Sequence, residues 1–156
     1  RALIAGDRVG AVGAITRDLA SPTPGRWAPP QGASASQLRT IVDELPDDLP
    51  IGNPQSARVA VDIMLAVGEY RRAGEYAAAV FTHHRSSPLA VAVARAAAAT
   101  GDAANAVQWL YTAELAAREE PDGYHTRLGR TNEQAPELAG VRDLPEVRAI
   151  RSRLLA

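Results

Sequence analysis

The chain has 156 residues, 17 basic and 18 acidic side chains for a net charge of −1, and no cysteine. That length suits one compact domain or a repeat array of similar size, and the charge balance lacks the positive field on which non-specific nucleic-acid binding relies. Without thiols, neither a disulfide framework nor a thiolate zinc site can form. Alanine fills 32 positions, so the core must be built from small residues in close contact. Ala is the strongest helix former and a poor strand former, which argues against an all-β fold. All 17 basic residues are arginine, as a GC-rich coding sequence produces, so a P-loop lysine and a Schiff-base amine are both absent.

In chain order, residues 7–20 read as a helix, with Asp7 as its cap after Gly6 and with Val12, Ile15 and Leu19 at helical spacing. Ser21-Pro22-Thr23-Pro24-Gly25 stops it, and the Pro/Gly-rich stretch 26–32, with Trp27, reads as an irregular connection that packs back on the domain. Ser34-Ala35-Ser36-Gln37 has the form of a capping box ahead of a Leu38, Ile41, Val42 and Leu45 stripe that stops at Pro46. Asn53-Pro54 opens a third helix, with Val59, Ile63, Ala66, Val67 and Tyr70 on one face, predicted to run to Arg72. Gly74 is then expected to turn the chain into a helix over 75–84. Ser86-Ser87-Pro88 launches 89–99, and Thr100-Gly101-Asp102 turns into a helix reaching Glu120. Residues 121–136 read as a loop, followed by a short turn at 137–139 and a last helix opened by Asp143-Leu144-Pro145. The most apolar run, 89–99, is interrupted by Arg95 and falls far short of the roughly 20 residues that span a bilayer, so no transmembrane segment is expected. Arg1 in place of Met, with no charged-then-apolar leader behind it, points to a piece of a longer protein.

A glycine, an acid, three variable residues and Ala-Val recur at Gly6-Asp7, Gly74-Glu75 and Gly101-Asp102, at intervals of 68 and 27 residues. Glycine permits the turn, the acid caps the incoming helix and the small Ala lets paired helices approach. On these residues the stretch 53–120 resembles the tetratricopeptide-repeat (TPR) family. Gly101, Asp102, Ala106 and Ala113 fit its pattern, Gly74, Glu75, Tyr76 and Ala79 fit it less fully, and Tyr70 sits at the aromatic position of the first helix. The Trp-x-x-Leu-Gly opening is missing and the repeat-ending proline is displaced to Pro121. The resemblance implies an all-α fold of antiparallel helical hairpins stacked as a TPR-like α-solenoid. Residues 1–52 would belong to the same domain, 53–120 would form the repeats, and 121–156 would contribute a loop and a C-terminal capping helix.

The same resemblance implies a concave partner-binding groove lined by Val61, Met64, Gly68, Arg71 and Arg72 from one repeat and by Val91 and Arg95 from the next. Its apolar floor and arginine rim would suit an extended segment ending in carboxylates. The arginines also read as solvated, or as paired with Glu69 and Asp62 on their own helix. Adjacent His83 and His84 diverge by about 100 degrees on a helix and cannot easily share a metal. His125 lies beside Tyr124 in the expected loop. Asp43, Glu44, Asp47 and Asp48 form an acidic cluster without the oxygen pattern of a calcium loop. No nucleophile elbow, Gly-rich phosphate loop or His-Glu-x-x-His helix occurs. The expectation is therefore a non-catalytic domain without cofactor or metal that binds a protein, a peptide or another part of its parent chain. An alternative is the accessory helical domain of a membrane-tethered or signalling enzyme whose catalytic part lies elsewhere, and a third is an enzyme confined to these residues.

Overall fold

A computed structural model describes residues 5–29, 32–120 and 135–155. The Asp7 side chain and the expected loop over 121–134, with Tyr124 and His125, lie outside the described residues. Among those described, all regular structure is helical: α1 (Ala5–Ala20), α2 (Ala35–Glu44), α3 (Pro54–Ala66), α4 (Tyr70–His83), α5 (Ser87–Ala99), α6 (Ala103–Arg118), a 3-10 turn (Pro136–Gly140) and α7 (Pro145–Leu155). The chain divides into two compact units, 1–69 and 70–156.

In the first unit, α1, α2 and α3 pack on one another through Ile15, Leu19, Ile41, Val42 and the inner face of α3. α2 starts at the capping box read from the sequence, with Ser34 Oγ accepting from the Gln37 amide and the Gln37 side chain accepting from the Ser34 amide. Asn53 caps α3, its Oδ1 accepting from the Ser56 amide at 2.8 Å. Its buried Nδ2 donates to the carbonyls of Asp18, Ser21 and Thr23, so one side chain starts α3 and ties down the strap that leaves α1. The strap does pack back: the Trp27 amide donates to the Asp18 carboxylate and the Gly25 amide to Ser56 Oγ, both at 3.0 Å. Arg39 on α2 bonds the Glu69 carboxylate and the Val67 carbonyl, closing the C-terminal turn of α3.

Four sequence expectations need correction here. α3 stops at Ala66, because Gly68 adopts φ +83, and a new helix begins at Tyr70. Gly74, expected as the turn, lies inside α4, where its missing side chain matters for packing: a Cβ there would come 3.1 Å from the Cβ of Ala96. The buried face of α3 differs in part: Ile63 is buried as expected, but with Ala57, Ala60, Val61, Met64 and Leu65 beside it, while Ala66 is exposed. Gly6 likewise falls within α1 and does not precede it.

The recurrence that the backbone does carry is at Gly68 and Gly101, 33 residues apart (101 − 68). In both turns the glycine has positive φ, and the residue after it donates to a carbonyl five residues back: Glu69 to Met64 and Asp102 to Ala97, each at 2.9 Å. The glycine amides bond Leu65 and Ala98, each at 3.1 Å. This is the same helix-terminating bond pattern twice over, and it needs φ > 0 at one position.

In the second unit, α5 lies between α4 and α6, joined to each by a link of three residues that makes neighbours antiparallel. A helix flanked on two sides has little solvent face, and Leu89 to Ala94 are buried without a break. This is where the alanines are used, since only small side chains fit all round a central helix. Phe81 and Trp109 meet edge to face at 5.5 Å between centroids. The 3-10 turn packs on α5, and α7 packs on α6 through Val147, Ile150 and Leu154, all fully buried.

Candidate functional site

The second unit has an open cleft of about 300 Å³. α4 supplies Tyr70, Arg71 and Gly74 to its wall, and α5 supplies Val93, Ala96, Ala97 and the following Thr100. Asn105, in the first turn of α6, closes the other side. The cleft exists because Gly74 and Ala96 are small where α4 meets α5, which leaves the floor low beneath longer side chains at the rim. Those rim groups are a guanidinium, a hydroxyl, a phenol and a carboxamide, and among the described residues no carboxylate lines the space. Arg71 reaches Glu75 at 3.4 Å, but with side chains 88% and 68% exposed the pair sits in water and is worth little.

The residues read from the sequence as a groove divide between the two units, with Val61 and Met64 in the first and Arg71, Arg72, Val91 and Arg95 in the second. Val61, Met64 and Val91 are buried, as are Val93, Ala96 and Ala97 on the floor of the cleft, so the accessible surface of the cleft comes mainly from its rim. Arg95 is committed elsewhere: its Nε and one terminal nitrogen grip both oxygens of Glu137 at 2.9 and 3.1 Å, fastening the 3-10 turn to α5. Arg72 is half-buried and engaged. Gly68 is the turn residue between α3 and α4, and of the seven Arg71 alone lines the cleft. Thr100 and Asn105 were not singled out by sequence; the positive-φ turn at Gly101 between them is the signal that brings both to one edge.

The other ionic clusters in the second unit hold helices together. Glu114, buried on α6, accepts from Arg118 at 3.0 Å and from two nitrogens of Arg153 on α7 at 2.7 and 2.8 Å. The hydrogen bond from Arg153 is the main reason its carboxyl lies below the ordinary range; burial works against this, and Arg118 adds to it. For Glu137 burial is the largest influence and pushes the carboxyl up, but the Arg95 bond, a backbone bond and the Arg95 charge together leave it below its ordinary value. Glu120 accepts from the Ser87 amide and hydroxyl, each at 2.7 Å, supplying the cap that Ser86 does not give α5. Arg85 bonds Glu119 and lies over the Phe81 ring. His83 is exposed, its Nδ1 3.1 Å from the Ala79 carbonyl. Among the described residues no three His, Asp or Glu side chains come together as a metal would require. None of the described helices is long and apolar enough to cross a membrane. No protein-family model matches this chain, and no curated protein or solved structure matches it either.

Proposed function

We propose that the chain is a non-catalytic, TPR-like helical repeat domain that binds another protein, with the cleft among α4, α5 and α6 as the contact surface. The observation that carries this reading is the cleft itself, a low floor of Gly74, Ala96 and Ala97 with hydrogen-bonding groups only at its rim. Such a surface offers shape and a few orienting contacts, which is what recognition needs. The 33-residue recurrence of one turn geometry supports the repeat reading, since stacked hairpins of that size are how such arrays are made. The use of Glu114, Glu119, Glu120 and Glu137 as helix fasteners supports a non-catalytic role, because each carboxylate already holds the structure together.

The test is to fill the cleft. Asn105 is exposed, so Asn105→Trp adds bulk there without disturbing the core. Proteins captured by the wild type are identified, and their binding to purified variants is measured by titration calorimetry. Asn105→Trp is expected to weaken binding at least tenfold, and Gln55→Trp, an equal change on the exposed side of α3, to leave it intact. Equal binding by wild type and Asn105→Trp would sink the proposal.

A further inference from the structure

Residues 135–155 are hydrogen-bonded into a piece of their own. From Ala135 onward each turn bonds the next: the Leu138 amide donates to Ala135, Val141 and Arg142 to Leu138, Leu144 to Val141, and Arg148 in α7 to Leu144. The Arg142 guanidinium adds a bond to the Ala135 carbonyl at 2.8 Å. This arm lies on α5 and α6 through Ala135, Leu138, Val141, Val147, Ile150 and Leu154, all buried. Ordering its backbone costs entropy of the same order as that burial gains, so its polar ties weigh heavily in whether it stays docked.

Two of those ties are of one kind. Near the start of the arm, Glu137 accepts from two nitrogens of Arg95 on α5 at 2.9 and 3.1 Å. Near its end, Arg153 donates twice to the buried Glu114 of α6, at 2.7 and 2.8 Å. Each pair fastens the arm to a different helix, and each needs one largely buried carboxylate to keep its charge. The charged groups acting on Glu114 are Arg118 on its own helix and Arg153 on α7, whose guanidinium lies 6.0 Å from the centre of the Tyr111 ring. The charged group acting on Glu137 is Arg95. A proton on either carboxylate leaves a guanidinium in the interface without its counter-charge. Both carboxyls lie below the ordinary 4.5, so each tie is fully present above that value and is lost as pH falls through the folded one. By contrast α4, α5 and α6 meet through Phe81, Ala90, Val91, Ala94 and Leu110, which carry no charge, and three-residue links join them.

We infer that residues 135–155 are an acid-released arm: protonation of Glu114 and Glu137 undocks it from α5 and α6 as one piece, still tethered by residues 121–134, and bares the apolar face of α6 while α4, α5 and α6 stay folded. With two protons taken up together, docking weakens by up to about a hundredfold per pH unit below the folded values.

Amide hydrogen exchange of the whole 156-residue chain, corrected for the intrinsic rate at each pH, reads arm and helices separately. Between about pH 6 and pH 3, protection of 145–155 is expected to fall at least tenfold more than that of 87–99 and 103–118. The double variant Glu114→Gln/Glu137→Gln carries uncharged side chains of the same shape. Its arm should be at least tenfold less protected than the wild-type arm at about pH 6 and lose little more on acidification. Glu119→Gln, which removes an exposed carboxylate of α6, should keep the wild-type profile. Wild-type arm and helices losing protection together would mean that acid unfolds the whole unit, and this overturns separate release. A double-variant arm as protected or as acid-sensitive as wild type, or an equal loss in Glu119→Gln, overturns the role of the two carboxylates. Should the double variant also lose protection in 87–99, Glu137→Gln alone decides: the arm's profile should flatten from two-proton to one-proton steepness, and unchanged steepness overturns the inference.

Discussion

Arg71 and Arg95 are the same residue type on neighbouring helices, yet they do different work, and burial separates them. Arg71 is 88% exposed beside an exposed Glu75, so Arg71→Ala should change stability by less than about 0.5 kcal/mol. Arg95 and Glu137 are 23% and 11% exposed and joined by two bonds. Arg95→Ala strands a half-desolvated carboxylate and is expected to cost about 2–4 kcal/mol in urea unfolding. Arg95→Ala would therefore confuse binding with folding, whereas Asn105 is exposed at the cleft and can be changed without loss of a structural bond of that kind. Glu114 gives a pH prediction with a definite sign. Its folded carboxyl lies below the ordinary 4.5, so its pairing with Arg153 and Arg118 adds stability that is fully present above the unfolded value and is lost as pH falls through the folded one. Thermal melts of wild type should fall between about pH 5 and pH 3. Those of Glu114→Gln should start lower at neutral pH and fall less steeply over that window; parallel curves for the two would refute the linkage.

At the scale of elements, the glycines measure how far the sequence could be read. Helix starts were legible because capping is chemical: Ser34 with Gln37, Asn53 before Pro54 and Asp102 after Gly101 all begin helices as their side chains predict. The end of α3 was not, since Val67 and Tyr70 continue an apolar stripe straight across the turn and a periodicity argument runs through it. Gly68 and Gly74 look alike in sequence, one needed for its backbone freedom and the other for its lack of a side chain. The difference is testable. Gly101→Ala must hold an L-residue at φ +86 and should lose about 1–2 kcal/mol. Gly74→Ala gains roughly 1 kcal/mol of helix propensity and spends a comparable amount separating α4 from Ala96 by a few tenths of an ångström, for a net change under about 1 kcal/mol. Chemical denaturation of the two variants side by side would show a clear gap; a Gly74→Ala loss as large as that of Gly101→Ala would mean Gly74 is the turn after all. The candidate site was less legible than the helices for the same reason. Moving the turn from residue 74 to residue 68 moved the start of α4, and with it the side chains that meet α5.

At the largest scale, that of the whole second unit, the question is what covers α6 on the side away from α5. α6 carries an apolar face, Leu110, Ala113 and Ala117, together with the buried acid Glu114. A further helix must therefore bring apolar side chains and a cation at matching positions, and α7 brings Val147, Ile150, Leu154 and Arg153. Arg153 lies in the last turn of α7, where a cation suits the negative end of the helix dipole, and its two bonds to Glu114 give it this more specific duty. Three fully buried side chains at about 1.5–3 kcal/mol each give α7 a share comparable to the total stability of an ordinary domain, even before the entropy of ordering it is subtracted. Removing residues 144–156 should thus lower the melting midpoint by more than about 10 °C, on the domain scaling of roughly 4–8 °C per kcal/mol, and drive concentration-dependent association through the bared face of α6. Arg153→Ala within the intact chain separates the two contributions. It leaves the apolar residues in place while weakening the hold on Glu114, so it should destabilise without provoking association. A truncated chain that melts at the wild-type temperature and stays monodisperse would show that α6 needs no cover, and the fit of α7 to its face would then be incidental to stability.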